Sequence, residues 1–546
     1  MTSSPSSLLV QDRGEGPAAG ATKPKAMTIR PHGRAWPTRG RLYLRLAGAV
    51  VMVAWLGGLV HFSTALYGRN YLSIDFGVYN QAWSLIGHGH LNPLSTLYKP
   101  YPFVKSDFEL ILWPLALLHL IDAQPIVLLW VQDAAVAASG FAAYLWIADY
   151  LEERRVAWWP AVGVCTVVLA VVIVNPGVYQ TLLYDFHIEP ISTVFVLLAG
   201  RDLWSGRTRR VWIWIALALS CGTFAAITLV GLGISALVAG SATRRAGATL
   251  IVVAVAWLGL ISLIGANAGS GLDTYAYLAG RTHLAGASAI ALIFAGIVVH
   301  PSRMYTVVFD RLHYVWLLIE SVGVIGLASA WGFGVPAVVM FTNIINANVG
   351  FIAQAYQNSA VFSFLLVGTV MALVWLAQRL RWGWIASLVV GVAVSVLALV
   401  YGIATSPADI RWATAQVTPA RAAALTRSLP LIPPGAEVIA TDSIIGRFSA
   451  RPSVHWFDPK AAIPVSTHPV VFVFDPANEN IIPYADPADD VFGVAFARDR
   501  LGARVLLNQS GVTVLQWQPR PGTKFVVFPA APGSGPPTRH HETGPR

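Results

Sequence analysis

The sequence predicts an all-α polytopic membrane protein with about nine full transmembrane helices, additional half-helices and a small C-terminal α/β domain. The 546 residues are 55% hydrophobic and only 12% charged, whereas a soluble chain carries about 25% charged residues. Apolar runs at 46–66 and 385–404 are each long enough to cross roughly 30 Å of hydrocarbon. After residue 404 the composition changes to proline-rich turns and short strand-like runs.

The N-terminal region, residues 1–45, is predicted to be a disordered basic segment in the cytoplasm. Residues 1–27 are rich in Ser, Pro, Gly and Ala, and several arginines precede the first apolar run. That run is too long for the apolar part of a signal peptide, so we expect an uncleaved first helix. The net charge of +10 comes from basic residues that punctuate apolar segments, which is the positive-inside pattern. Nucleic acid is therefore not expected as a partner.

The transmembrane domain is predicted to occupy residues 46–404. Full spans are expected at 46–66, 126–148, 158–176, 190–204, 246–265, 313–331, 335–350, 359–377 and 383–404. Half-helices are expected at 110–121 and 211–240, the second block breaking near Cys221. Loops on the far side of the membrane are expected at 67–108 and 266–312, and a short connection at 331–334.

The C-terminal residues 405–528 are predicted to form an extracytoplasmic α/β domain. Its strand-like runs are 438–440, 470–474 and 512–515, and residues 529–546 are expected to be a disordered tail. Cys165 and Cys221 both lie in apolar segments, so neither a disulfide nor a cysteine metal site is expected.

Ionisable residues are predicted to gather on the far-side membrane face. Asp75 follows the first span, Asp107 and Glu109 precede the first half-helix, and Asp185 and His187 lie in a later far-side loop. Ionisable groups at membrane depth are costly and tend to be functional. A partly desolvated carboxylate can act as a general base near neutral pH. The alternatives are a helix cap or solvated loop for Asp75, and a capped loop with a satisfied histidine for Asp185 and His187.

Two further polar residues and the absence of several known motifs limit the possible activities. Gln354 and Tyr356 follow a span on the far side, where they would bond to a sugar or pack within a loop. Phosphate-binding loops, serine elbows, zinc-protease motifs and Cys-x-x-Cys pairs do not occur, which argues against ATP-driven pumps and those hydrolase classes. No cofactor is expected with certainty, and a divalent cation among Asp75, Asp107 and Asp185 is left open.

Several of these stretches resemble domain-of-unknown-function family 2079, a group of bacterial membrane proteins. That family in turn resembles the GT-C superfamily of membrane glycosyltransferases. The similar stretches are 75–81, 107–115, 185–187, 336–343 with Gln354 and Tyr356, and 432–438. The resemblance implies a multi-pass protein of the bacterial plasma membrane, with a cytoplasmic N-terminus and an extracytoplasmic C-terminal domain.

The resemblance also implies an activity. Such enzymes transfer a sugar from a polyprenyl-phosphate donor on the outer face, and an aspartate in the first outer loop is the catalytic base. Asp75 matches that position. Substrate-binding roles fall on the other candidates: Gln81, Asp107, Glu109, Asp185, His187, Gln354 and Tyr356. The expected partners are a polyprenyl-phosphate sugar and membrane lipid. The alternatives are a transporter or lipid flippase, favoured by polar residues along a path through the membrane, and a non-catalytic envelope scaffold that presents the outer domain.

Overall fold

A computed structural model places the chain in a helical bundle with a small mixed-sheet domain packed at one end. The structure describes residues 36–37, 39–69, 72–97, 100–106, 108–183, 185–264, 273–282, 284, 289–346, 356–379, 418–459, 461–466, 468–476 and 487–532. Asp107, Gln354, the predicted span at 383–404 and most of both predicted tails lie outside these residues. The predicted division into four domains remains a prediction.

The described helices of the bundle follow one another closely along the chain. In order they are α1 (Gly40–Gly68), α2 (Ile74–Gly87), α3 (Leu112–Leu115), α4 (Ile126–Glu153), α5 (Trp158–Val174), α6 (Pro176–Leu183), α7 (Glu189–Trp204), α8 (Thr208–Leu219), α9 (Thr223–Ala239), α10 (Ser241–Leu263), α11 (Ala289–Val299), α12 (Pro301–Asp310), α13 (Leu312–Glu320), α14 (Ala330–Ile344) and α15 (Ser359–Arg379).

Several of these helices are able to cross a membrane. By length and composition, α1, α4, α10 and the helical segment Tyr356–Arg379 are long and apolar enough to span, and α5, α9 and α14 are shorter apolar helices. This confirms a polytopic helical membrane protein. Of the nine expected full spans, four correspond to these long helices, and the spans at 158–176 and 335–350 correspond to the shorter helices α5 and α14. The span expected at 190–204 is the helix α7, and the span expected at 313–331 is interrupted between α13 and α14. The predicted loop 266–312 is partly wrong, because it contains the apolar helix α11 and the helix α12, which meet at 96°.

The predicted connection at 331–334 is wrong, because these residues lie inside α14. Their glycines serve helix packing and not a turn. A Cβ atom on Gly334 would collide with the backbone carbonyl oxygen of Gly231 in α9, and a Cβ atom on Gly332 would collide with that of Gly326. Small residues let helix backbones approach closely in a membrane, where van der Waals packing drives association. Glycine here therefore fixes the contact between α9 and α14.

Gly334→Ala is expected to destabilise the bundle. The added methyl group must push α9 and α14 apart, and overpacking of this kind costs about 1–3 kcal/mol. Thermal unfolding of the detergent-solubilised protein, followed by tryptophan fluorescence, measures the effect. Gly259→Ala in α10 is the matched control, because no atom lies within 4 Å of the position its Cβ would occupy. Equal unfolding midpoints for the two variants would contradict the packing role.

The predicted loop 67–108 contains the buried helix α2, so that prediction is also wrong. Ser73 caps the helix by accepting the N–H of Asp75, and the side chains from Phe76 to Ile86 are all buried. The polar residues within α2 concealed it in the sequence. The Asn80 amide, for example, donates to the Ser449 hydroxyl at 2.7 Å in the C-terminal domain. A polar pattern that is typical of a loop here belongs to a helix buried between two parts of the chain.

The two predicted half-helical regions are helical and interrupted. The segment 110–121 holds α3 and a 3-10 turn at Ala116–Leu120. The block 211–240 breaks between α8 and α9 at the predicted position, where Gly222 has a φ of 95° that favours glycine. The helices do not form a hairpin on each other, because α8 packs mainly along α7 and α9 along α10 and α14.

The C-terminal domain is built on a five-stranded mixed sheet. Its strands and helices, numbered after a short hairpin of β1 (Leu94–Ser95) and β2 (Tyr101–Pro102), are α16 (Pro419–Ser428), β3 (Glu437–Ala440), β4 (Val454–Trp456), β5 (Ala462–Pro464), β6 (Val470–Phe474), α17 (Pro487–Asp499), β7 (Arg504–Gln509), β8 (Val512–Trp517) and β9 (Phe525–Val527). The strand order is β4-β3-β6-β8-β7, parallel among the first three and antiparallel thereafter. The strands predicted at 438–440, 470–474 and 512–515 are confirmed.

Charged side chains mark the end of the bundle away from this domain. Asp149, near the C-terminus of α4, forms ion pairs with Arg41 and Arg45 of α1 and with Arg201 of α7. These three helices therefore bring their basic ends together. The opposite end of α1 leads into the segment that carries Asp75, and the opposite end of α7 follows the segment that carries Asp185 and His187.

Candidate functional site

Asp75 lies in the first turn of α2, at the end of the bundle opposite the Asp149 cluster. Its side chain is 36% exposed, although α2 is otherwise mostly buried. A helix that is buried elsewhere therefore exposes a carboxylate to solvent at its N-terminus. This arrangement lets a substrate reach Asp75 while the surrounding structure holds it in place.

Three successive backbone amides at the start of α2 are held by side chains. The Ser73 N–H donates to Oδ2 of Asp185 at 2.7 Å. The Ile74 N–H donates to Oδ1 of Asp442 at 3.1 Å. The Asp75 N–H donates to the Ser73 hydroxyl at 3.3 Å. The first amides of a helix have no partner within it, so these side chains fix the turn that carries Asp75.

The loop 185–187 is clamped by a single side chain from α4. The amide of Gln132 donates to the carbonyl oxygen of Asp185 at 2.7 Å and accepts the N–H of His187 at 2.6 Å. Asp185 has a φ of 64°, in the left-handed region that few non-glycine residues adopt. Such backbone conformations persist only where the surroundings enforce them, and they concentrate at functional sites. Here the side chain of Gln132 and the backbone amide of Ser73 hold Asp185 in this conformation through hydrogen bonds.

His187 lies between Asp75 and an aromatic ring. Its Nε2 is 3.8 Å from Oδ2 of Asp75, and its side chain is only 4% exposed. The ring of Tyr356 stacks on the imidazole with a centroid distance of 3.5 Å and an interplanar angle of 14°. The stacked ring fixes the plane of the imidazole and therefore the direction in which Nε2 points.

The turn that carries Tyr356 is anchored by a buried polar network. Asn358, two residues later, accepts a hydrogen bond from the Tyr314 hydroxyl at 2.8 Å and another from the amide of Asn343 at 3.2 Å. The Asn343 amide also donates to Tyr314 at 2.9 Å. Hydrogen-bonded polar networks in a buried setting are rigid because breaking them leaves unpaired groups. The stretch 336–343, which resembles the family sequence, thus contributes to the site indirectly, because Asn343 helps to hold the turn that carries Tyr356.

Glu109 joins the site through a tyrosine. The Tyr79 hydroxyl donates to Oε1 of Glu109 at 2.8 Å, and the Tyr79 ring meets the imidazole of His187 edge-on at 6.0 Å. Phe108 next to Glu109 has a φ of 57°, a second left-handed residue beside the site. Glu109 is itself 4% exposed, so it supports Tyr79 and does not face solvent.

The structure brings most of the predicted site residues together. Asp75, Asp185, His187 and Tyr356 form one group, and Glu109 is joined to it by Tyr79. Gln81 is not part of this group. It is fully buried about two turns further along α2, and its amide bonds to Thr96 and to the carbonyl oxygen of Arg451. Gln81 therefore joins α2 to the C-terminal domain.

Three of the residues that hold the site were not among the residues predicted from the sequence. Gln132 lies within an apolar span and carries no local pattern, and Asn358 was hidden in a stretch interpreted as a loop. Asp442 had a signal, because it follows the predicted strand 438–440 by two residues and the carboxyl ends of parallel strands often carry functional groups. Its nearness to Asp75 could not be read from the sequence.

Burial dominates the electrostatics of the two acids beside Asp75. It raises the pKa of Asp185 to about 7 from the usual 3.8, although the Ser73 hydrogen bonds act in the opposite direction and the Asp75 carboxylate adds to the rise. Burial also raises the pKa of Asp442 to about 7, helped by the neighbouring carboxylate of Asp75. Near neutral pH both side chains are therefore partly protonated, which limits the negative charge packed around Asp75.

These raised pKa values predict that the protein is more stable in mild acid. The folded state binds the protons of Asp185 and Asp442 more tightly than the unfolded state, so the free energy of unfolding falls as pH rises from about 4 to about 7. We expect a higher unfolding midpoint at about pH 5 than at about pH 8, and a smaller difference for Asp185→Asn. Unfolding curves of both proteins across this range test the expectation, which an unchanged difference in the variant would contradict.

The described residues offer no arrangement of three or more His, Cys, Asp or Glu side chains suited to a metal ion. Asp107, which completes the predicted set with Asp75 and Asp185, lies outside the described residues. A divalent cation in that set therefore stays a prediction.

A cleft lies among the helices next to the loop 185–187. Thr181 and Pro190, which flank that loop, line it together with Ser359 at the start of α15. Its walls are mostly aliphatic, with a few hydroxyl and amide groups: Val136, Ser139, Asn175, Val172, Ser363 and Leu366 are among the lining residues.

The sequence and the structure were compared with those of known proteins. A family model described as "Predicted membrane protein (DUF2079)" matches residues 69–471, which confirms the family resemblance predicted from the sequence. No curated protein matches the chain. The crystal structure of ArnT from Cupriavidus metallidurans bound to undecaprenyl phosphate is similar to this chain, with 13% sequence identity and a TM-score of 0.47, over 88% of this chain and 98% of that one.

Proposed function

The chain belongs to the DUF2079 family of predicted membrane proteins, and we propose that it is a membrane glycosyltransferase. In this proposal it moves a sugar from a polyprenyl-phosphate donor to an envelope acceptor. The observation that carries the proposal is a partly exposed carboxylate, Asp75, held beside His187. The loop of His187 is flanked by Thr181 and Pro190, which line a mostly apolar cleft in the bundle. A hydroxyl acceptor, an anionic sugar donor and a long lipid tail each have a matching feature in this arrangement.

Asp75 is the general base in the proposed step. It takes the proton of the acceptor hydroxyl while that oxygen bonds to the anomeric carbon of the sugar. The bond from this carbon to the donor phosphate oxygen breaks, and polyprenyl phosphate leaves with the electron pair. Attack opposite the leaving group inverts the anomeric carbon. General bases of this kind contribute about 10²–10⁴-fold to rate.

His187 is assigned to orienting the substrate beside Asp75. The imidazole Nε2 lies 3.8 Å from the Asp75 carboxylate and is held in one plane by Tyr356. A protonated imidazole donates to phosphate oxygens, and a fixed ring lets it do so without reorganisation. Asp185 helps to hold this pair in place, because its carboxylate accepts the N–H of Ser73 directly before the helix that carries Asp75.

The cleft is assigned to the lipid part of the donor. Its mostly aliphatic lining lies among membrane-spanning helices, and its residues Thr181 and Pro190 lead to the loop 185–187. An isoprenoid chain in this cleft would place its phosphate near His187. Apolar surface lining a pocket favours such a chain through burial, at about 25 cal/mol per Å².

The basic end of the bundle suggests the orientation. Arginines accumulate on cytoplasmic segments of membrane proteins, and Arg41, Arg45 and Arg201 meet at Asp149 on the end away from the site. We therefore place that end and the N-terminus in the cytoplasm. Asp75 and the C-terminal domain then face the outside of the bacterial plasma membrane, where polyprenyl-linked sugars would be used.

A transfer assay tests the proposal. Purified protein in lipid is given radiolabelled polyprenyl-phosphate sugars and an envelope extract as acceptor, and label in the acceptor fraction is counted. Transfer from at least one donor supports a glycosyltransferase. Scrambling or uptake of the lipid in liposomes without transfer would support the flippase alternative instead. If Asp75 proves dispensable but residues 405–546 are essential in cells, the scaffold alternative is favoured.

A further inference from the structure

The C-terminal domain contacts α2 directly through the 3-10 segment Asp442–Phe448. The Gly446 N–H donates to the carbonyl oxygen of Leu72 at 3.1 Å, immediately before α2 begins. A Cβ atom on Gly446 would lie 2.7 Å from Leu72 and 2.8 Å from Phe76, so the two segments meet at backbone distance. The contact between domain and bundle is therefore tight at the start of α2.

Asp442 is the residue of this segment that reaches the amides beside Asp75. It is 4% exposed, and its Oδ1 accepts the Ile74 N–H at 3.1 Å. Asp185 holds the preceding amide, that of Ser73. Two acids, one from the bundle and one from the C-terminal domain, thus hold consecutive amides directly before Asp75.

We propose that Asp442 is a positioning residue for Asp75, so that the C-terminal domain completes the candidate active site. The proposal rests on the proposed function for the role of Asp75, but its structural part stands independently of that chemistry. Without an acceptor for the Ile74 amide, the first turn of α2 frays and the Asp75 carboxylate leaves its position beside His187. Misplacement of a reacting group by about 1 Å can cost about 100-fold in rate.

The chemistry of Asp442 indicates which substitution preserves the role. Burial and the nearby Asp75 and Asp185 carboxylates raise its pKa to about 7, so the neutral form is well populated near neutral pH. A neutral carboxyl group still accepts the Ile74 N–H through its carbonyl oxygen. Asparagine offers the same oxygen without charge, whereas alanine offers none. Position 442 therefore permits a direct separation of hydrogen bonding from charge.

The test compares Asp442→Asn and Asp442→Ala with wild type in lipid, using two measurements. Hydrogen–deuterium exchange of peptides covering residues 72–87 reports the anchoring of α2, and peptides covering β6 report whether the C-terminal domain stays folded. Steady-state sugar transfer supplies kcat and KM. Asp499→Ala is the matched control, since Asp499 is an exposed acid of the same domain that pairs only with the neighbouring Arg498 among the described ion pairs.

For Asp442→Ala we expect faster exchange at the start of α2, unchanged exchange in β6, and a kcat lower by about 10–100-fold with KM within about twofold. Asp442→Asn and Asp499→Ala should resemble wild type in both measurements. Wild-type exchange and kcat in Asp442→Ala would overturn the inference, as would an Asp442→Asn variant that is as impaired as Asp442→Ala. Faster exchange in Asp442→Ala combined with no transfer by wild type would support the anchoring role and overturn the proposed function.

Discussion

Replacing Asp75 by asparagine is expected to lower kcat for sugar transfer by about 10²–10⁴-fold. The substitution keeps the size and the hydrogen-bonding shape of the side chain but removes its ability to accept the acceptor proton. The backbone of the turn stays anchored, because the Ser73, Ile74 and Asp75 amides bond to other side chains. We therefore expect a folded protein with a nearly normal unfolding midpoint. Transfer assays and thermal unfolding in the same lipid measure both quantities.

Asp122→Asn provides the control for this prediction. Asp122 also lies at the end of the bundle opposite Asp149, in the connection before α4, where its carboxylate accepts the N–H of Gln124. The change removes one negative charge from the same face without touching α2. Equal losses in the two variants would indicate a general electrostatic effect, and full activity in Asp75→Asn would refute the role of Asp75 as base.

Ser363→Phe is expected to block transfer from long-chain donors while leaving short-chain donors usable. Ser363 lines the cleft, and a phenyl ring would occupy space assigned to the isoprenoid tail. Loss of a well-packed apolar chain segment of several carbons costs about 0.8 kcal/mol per CH₂ group. We therefore expect kcat/KM for a long polyprenyl donor to fall by about 100-fold, which corresponds to roughly three to four methylene groups. Donors with one or two isoprene units should change little.

Ser363→Ala is the matched control for the cleft. It removes the hydroxyl, which donates to the Ser359 carbonyl oxygen at 3.2 Å, but leaves the cleft open. We expect it to keep the long-chain preference. If Ser363→Phe reduces transfer from long and short donors equally, the cleft does not hold the tail and the lipid must bind elsewhere.

Membrane character, most helices and the three core strands could be predicted because each rests on a continuous local pattern. Long apolar runs mark α1, α4 and α15, and short apolar runs bounded by turn residues mark β3, β6 and β8. The candidate site was predicted in part for a different reason: Asp75, Asp185 and His187 were expected on one membrane face from charge placement. Their mutual contacts depend on distant segments.

The failures have a common physical cause. The glycines at 331–334 were interpreted as a turn, although they allow two helix backbones to touch. The polar residues Asn80 and Gln81 were interpreted as a loop, although their partners lie in the C-terminal domain. In both cases the residue type is explained by a neighbour that is remote in sequence. Local composition does not contain that information.

The hydrogen bonds between α2 and the C-terminal domain also determine when α2 can complete its contacts during synthesis of the chain. The partners of Ile74 and Asn80 lie 368 and 369 residues further along. At a synthesis rate of about 5–20 residues per second, this delay is on the order of 20 to 70 s. During that interval α2 has been made, but the Ile74 amide and the Asn80 side chain lack the partners that they have in the folded protein. Completion of the first turn of α2 is thus one of the last events in the biogenesis of this protein, and a chain that stops before residue 442 has the bundle helices without the Asp442 contact to Ile74.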